Sequence, residues 1–382
     1  MAESATVSFT LEGERHLFET AESFSLGHLN AQELLFTLKE RIRVIPFGDY
    51  LRRYLYRATG MEGSFSEVPD ETYQQILLDA FHDSGTPASL TGQWLRLSTV
   101  IRRWLGQPTV RRDVVMLLGF GLSMQAEEVN LLLQTACHDH ALDPDDPLEG
   151  LCLHCYQRHY SFSRMSLLRS TLKEPEEKWE CLLGARISGS TFLMKRAMHE
   201  DSALLKRLSV STPPTPQTLK TRTLFLSLYD RVSESIARET GKARAAVTCS
   251  DIERRFCPVT RLDSHGNMVM TLQPELRPYL EGRRLNRHRA YQLLHHQIEP
   301  SRYDLLNLLF YLRTEEDLQA DSQKRLMHFL DQANPLLAEC GYGPVYMADP
   351  YECLLMLSLL SEDPMGTYLD MLESAQKEYR ES

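Results

Sequence analysis

Two stretches gather cationic and amide side chains at helical spacing. "RRLNRHRAYQLLHHQIEPSRYDLL" supplies Arg283, Arg284, Arg287, Arg289, Gln292 and Arg302, and "RLSTVIRRWLGQPTVRRDVV" supplies Arg96, Arg102, Arg103, Arg111 and Arg112. Guanidiniums hold phosphates, and Arg and Gln pair bidentately with base edges when a helix lies in a major groove. These are the most cationic local stretches of their halves, in a chain of formal net charge −10. That charge excludes a whole-surface affinity for nucleic acid, which draws on Lys and Arg releasing counterions; any such contact must be local. The competing reading of the same arginines is a solvated helix face, with stems over apolar surface and heads paired to the surplus of Asp and Glu.

A second constellation is Cys137, His140, Cys152 and Cys155, which reads C-x2-H followed by C-x2-C. Such spacing suits tetrahedral Zn²⁺. Against it, Cys152 and Cys155 fall on the apolar side of a helix, where free Cys is a common small core residue. Core thiols are the favoured reading, and no metal or other cofactor is expected. The eight cysteines are spread through apolar segments, as reduced thiols of a cytoplasmic protein would be. No phosphate loop, Gly-x-Ser-x-Gly elbow or His-Glu-x-x-His occurs, so no enzyme is expected.

The elements that must position these residues are helices. Phe47, Tyr50, Leu51, Tyr54 and Leu55 recur at helical spacing, as do Leu305, Leu308, Leu309 and Leu312, which predicts an all-α fold. "ATVSFTLEG" (5–13) and "NMVMTL" (267–272) are the best strand candidates. No apolar run reaches membrane-spanning length, and the first residues lack the form of a signal peptide. Closely spaced prolines in "STPPTPQT" (211–218) predict an extended linker. The expected organisation is an N-terminal segment (1–41), a first helical module (42–170), connecting helices with the Pro-rich linker (171–220) and a second helical module (221–382).

The two modules read as copies of one another. Arg111-Arg112-Asp113 aligns with Arg302-Tyr303-Asp304, an offset of 302 − 111 = 191, and residues 131–155 align with 334–358. Both copies then read Asp-Pro-x-Glu (Asp146, Pro147, Glu149; Asp349, Pro350, Glu352). This is a helix start: Asp caps, Pro suits the first position, and Glu suits the dipole. Trp94 and Trp104 fall near one helix face with Leu97 and Ile101 and read as core anchors.

Residues 283–312 resemble the recognition helix and following helix of the lambda-repressor-like (XRE or Cro/C1 type) helix-turn-helix family. The resemblance rests on Arg289, Tyr291 and Leu294, then Glu299-Pro300-Ser301, then the apolar helix from Leu305 to Leu312. Residues 97–133 fit the same outline, with "FGDYLRRYLYRATG" as a first helix. Residues 334–360 are similar to the helical extension of repressor-like proteins. The family's second-helix Gln-x-x-x-Ala pattern has no counterpart in either copy. The resemblance implies two modules, each with a repressor-like helix-turn-helix core and a helical extension, in a bacterial-type transcriptional regulator whose partner is double-stranded DNA. The alternative is a non-enzymatic scaffold that binds a protein partner.

Overall fold

A computed structural model describes residues 46–374, apart from 63–66, 91–95, 108, 179–182, 184–190, 211–214, 258–279, 281, 317–321 and 347–348. Every regular element among the described residues is a helix. Both strand candidates lie outside them. No described helix is long and apolar enough to cross a membrane. The chain divides into two compact units, with the boundary between Leu219 and Lys220.

In the first unit, Ile45–Leu219, the helices are α1 (Phe47–Ala58), α2 (Asp70–Ser84), α3 (Leu97–Gly106), α4 (Arg112–Gly121), α5 (Ala126–Ala136), α6 (Pro147–Gln157), α7 (Phe162–Thr171) and α8 (Thr191–Val210). One core runs through them, from Phe47, Leu51, Tyr73, Leu77 and Phe81 to Ile101, Trp104, Val115, Leu118, Val129, Leu133, Cys152 and Met165. The unit does not end at residue 170 as expected. Leu204, Leu205 and Leu208 of α8 belong to the same core. Asp201 of α8 is fully buried and accepts hydrogen bonds from His154 of α6 (2.8 Å) and Arg164 of α7. Burying that carboxylate requires the two partners, so α8 is tied to α6 and α7 and is no mere connector.

The second unit begins within α9 (Pro216–Thr240) and continues through α10 (Cys249–Phe256), α11 (Arg287–Leu294), α12 (Arg302–Glu316), α13 (Ser322–Glu339), α14 (Pro350–Leu359) and α15 (Pro364–Ser374). Its core joins Phe225, Val232, Ile252, Phe256, Leu293, Leu305, Leu309, Phe329, Leu354, Met356 and Tyr368. The end of the Pro-rich stretch is not an extended linker. Pro216 opens α9, its fixed φ suiting the first turn, and the buried Thr215 hydroxyl donates to Asp143 at 2.6 Å.

One set of hydrogen bonds recurs in both units. In the first, Arg112 at the start of α4 donates to both carboxylate oxygens of Glu149 (2.5 and 2.7 Å) and to the carbonyls of His140 and Ala141. Glu149 also accepts from the Asp143 amide, and the Asn130 side chain accepts from the Leu142 amide. In the second, Arg302 at the start of α12 pairs with Glu352 (2.7 and 2.9 Å) and donates to the carbonyls of Gly343 and Pro344. Glu352 accepts from the Tyr346 amide, and Asn334 from the Val345 amide.

The Asp-Pro-x-Glu starts behave as expected. The Asp146 carboxylate accepts the amides of Leu148 and Glu149, and Asp349 those of Tyr351 and Glu352. The register of the alignment needs one correction. Arg112, not Arg111, occupies the place of Arg302, an offset of 302 − 112 = 190. The loops then match at 352 − 149 = 203, and left-handed residues sit in them at His138 and Gly341, which are also 203 apart.

Candidate nucleic-acid interface

α3 lies against α1 and α2 through Ile101, Trp104 and Leu105, all buried. Its other face is exposed and carries Ser98, Thr99, Arg102 and Arg103, with Arg96 at the N-cap. Period 3.6 accounts for the division, since 101, 104 and 105 form one stripe and 98, 99, 102 and 103 another. Arg96, Arg102 and Arg103 form no ion pair among the described residues. Trp104 is the core anchor expected; Trp94 lies outside the described residues.

α11 lies against α10 and buries Ala290 and Leu293. Its N-cap Asn286 accepts the Arg289 amide at 2.8 Å. The exposed side presents Arg287, His288 and Tyr291, with half-buried Gln292 beside them. Tyr291 is 49% exposed, and its ring packs against His295 with centroids 4.1 Å apart and planes tilted by 43°. The resemblance names Tyr291 together with Arg289 and Leu294 without assigning it a face. Its position one residue past Ala290 and two before Leu293 is the signal that sets it outside the buried stripe.

The eleven arginine and glutamine candidates therefore separate. Arg302 is 1% exposed and held by Glu352, so it cannot reach a groove; the expectation of a DNA contact there is corrected. Arg112 turns inward to Glu149 and Asp139, Arg283 to Asp349 at 2.5 Å, and Arg289 to Asp304 at 2.5 and 2.6 Å. These three are also structural, because each already spends its donors on a carboxylate within its own unit. Arg284 is half-buried. Arg111 is 83% exposed and, among the described residues, pairs only with Asp113, two residues away. Arg96, Arg102, Arg103, Arg287 and Gln292 remain on the surface at α3 and α11.

Electrostatics confirm that the inward arginines stay charged. Burial alone would pull the Arg112 guanidinium down, but its bonds and proximity to Glu149, with Asp139, leave it above its ordinary value. The same balance holds for Arg302 against Glu352. Glu352 itself is pushed up by burial and by Asp349, with Arg302 opposing.

α2 precedes α3 and lies against it, and α10 lies against α11; residues 91–95 and 258–279 between them lie outside the described residues. Cys152 and Cys155 are fully buried in α6, and burial pushes the Cys152 thiol up to about 12 and Cys155 higher still. Among the described residues no three His, Cys, Asp or Glu side chains gather as a metal-holding group. Comparison of the chain with protein-family models, curated proteins and solved structures finds no match.

Proposed function

We propose that the chain is a DNA-binding regulator built from two related helical modules, in which α3 and α11 are the groove-facing helices. The carrying observation is the exposed face of α3: three arginines without carboxylate partners among the described residues, next to Ser98 and Thr99, in a molecule of net charge −10. A surface already served by internal ion pairs has no reason to leave these cations together. Arg reads guanine and holds phosphate, and Ser and Thr hydroxyls hold phosphate or base edges.

The relatedness of the modules is supported by the shared Arg, Asn, Asp, Pro and Glu at matching places in the two hydrogen-bonded frameworks. Chance would have to reproduce five residue types together with their bonds. In this reading the resemblance to repressor-like proteins belongs to the arrangement of helices.

The test is fluorescence anisotropy of the full chain on DNA from its own upstream region and on random duplex, across a salt titration. Specific binding that weakens at least tenfold in the Arg102→Ala, Arg103→Ala double variant supports the proposal. Absence of binding at low salt sinks it and transfers these surfaces to a protein partner, for which the exposed Tyr291–His295 pair is the best anchor.

A further inference from the structure

The two candidate reading helices match position for position. Their apolar stripes superimpose with an offset of 290 − 101 = 189: Ile101 on Ala290, Trp104 on Leu293, Leu105 on Leu294, all buried except the half-buried Leu294. The offset becomes 190 at Arg112 and Arg302, so the connector to the next helix is one residue longer in the second unit. With the stripes matched, the outward side chains also pair: Ser98 with Arg287, Thr99 with His288, Arg102 with Tyr291, Arg103 with Gln292. Their i, i+1, i+4, i+5 spacing places each set of four on one face.

None of the four pairs is alike, whereas the framework residues repeat. Arg112, Asn130, Asp146, Pro147 and Glu149 have Arg302, Asn334, Asp349, Pro350 and Glu352 in the same roles. These five framework residues coincide; on the two helices only Leu105 and Leu294 do, and none of the outward four. The chemistry differs accordingly. Arg102 and Arg103 suit guanine O6 and N7 or phosphate, Gln292 suits adenine N6 and N7, and the Tyr291 ring suits an apolar contact such as the thymine methyl.

We infer that the two units read unlike half-sites, so that the preferred target is an asymmetric bipartite duplex rather than a palindrome or a pair of equal repeats. This rests on the DNA-binding function proposed above. Repressors with one module per chain bind as symmetric dimers and mirror that symmetry in their operators. A single chain with two differing faces is released from that constraint.

Selection from a random duplex library by the full chain, followed by sequencing, tests this. Wild type is expected to enrich two linked half-sites of different sequence. The graft Arg287→Ser, His288→Thr, Tyr291→Arg, Gln292→Arg, which gives α11 the outward residues of α3, is expected to enrich two like halves. Circular dichroism melts verify that the graft folds. If it does not, Gln292→Ala alone is used, and lost preference confined to the second half supports the inference. Equal halves from wild type, or a site unchanged by the graft or by Gln292→Ala, overturn the asymmetry while DNA binding stands. No enrichment by wild type overturns the DNA reading and the inference together.

Discussion

At the scale of single residues, the Arg–Glu pairs divide by burial. Arg302 and Glu352 are both essentially excluded from solvent, whereas the side chains of Arg112 and Glu149 keep 17% and 12% exposure. Removing one member of a fully buried pair leaves a charge without compensation, at a cost of about 3–5 kcal/mol. Arg302→Met is therefore expected to destabilise the second unit by that amount, and adding Glu352→Leu should recover most of it. Arg112→Met should cost the first unit less, about 1.5–3 kcal/mol, since water can partly replace a charged hydrogen bond there. Urea unfolding separates the two. The three tryptophans, at 94, 104 and 179, all fall in the first unit and report on it by fluorescence, while circular dichroism follows the whole chain. Equal losses from both single substitutions would contradict the assignment. Which arginine faces inward was not legible in the sequence. Arg111 and Arg112 are adjacent, and only Glu149, 37 residues beyond Arg112, decides between them. Asp-Pro-x-Glu was legible because capping is local chemistry, complete within four residues.

At the scale of elements, helices were readable wherever one face is apolar. α2, which packs against α3, and α10, which packs against α11, carry no Gln-x-x-x-Ala signature by which the sequence could have singled them out. Two elements carry predictions. α6 approaches the loop before it and α8 so closely at Gly150 that a Cβ would lie 2.6 Å from the Pro144 carbonyl and 2.9 Å from Leu208. Gly150→Ala is expected to cost about 1–3 kcal/mol by overpacking, read as a lower tryptophan-fluorescence midpoint. Its counterpart by offset, Cys353, accommodates a side chain within its own core. α10 is started by a capping box in which Thr248 and Asp251 exchange hydrogen bonds, with Lys242 also donating to Asp251 at 2.6 Å. The Lys242 bond and the Thr248 amide and hydroxyl hold the Asp251 carboxyl well below its usual range. A depressed acid stabilises the fold above its unfolded value, about pH 4, and that contribution is lost as pH falls toward the folded value. Asp251→Asn should therefore lower the melting temperature at pH 6 and flatten its decline between pH 4 and pH 2. A parallel downward shift at every pH would argue against the role.

At the scale of the whole molecule, the sign of the charge decides what binding would look like. A chain at −10 repels the phosphate backbone, and the inward pairing of Arg112, Arg283, Arg289 and Arg302 withdraws cations that composition alone would assign to it. What remains at the proposed reading helices is Arg96, Arg102, Arg103 and Arg287, so binding there would neutralise few phosphates. With a slope of about −0.9 per phosphate in log K against log salt, the full chain should show a slope between about −3 and −4. A basic repressor contacting many phosphates would be steeper. Arg102→Ala with Arg103→Ala should reduce the magnitude by about two, whereas Arg111→Ala, far from carboxylate-free and off both helices, should barely change it. A slope near −8, or one that the double substitution leaves intact, would place the phosphate contacts elsewhere on the molecule. A slope that low would carry a functional consequence: affinity would come mostly from base-edge contacts, and discrimination between target and random duplex should then persist at salt concentrations that remove non-specific binding.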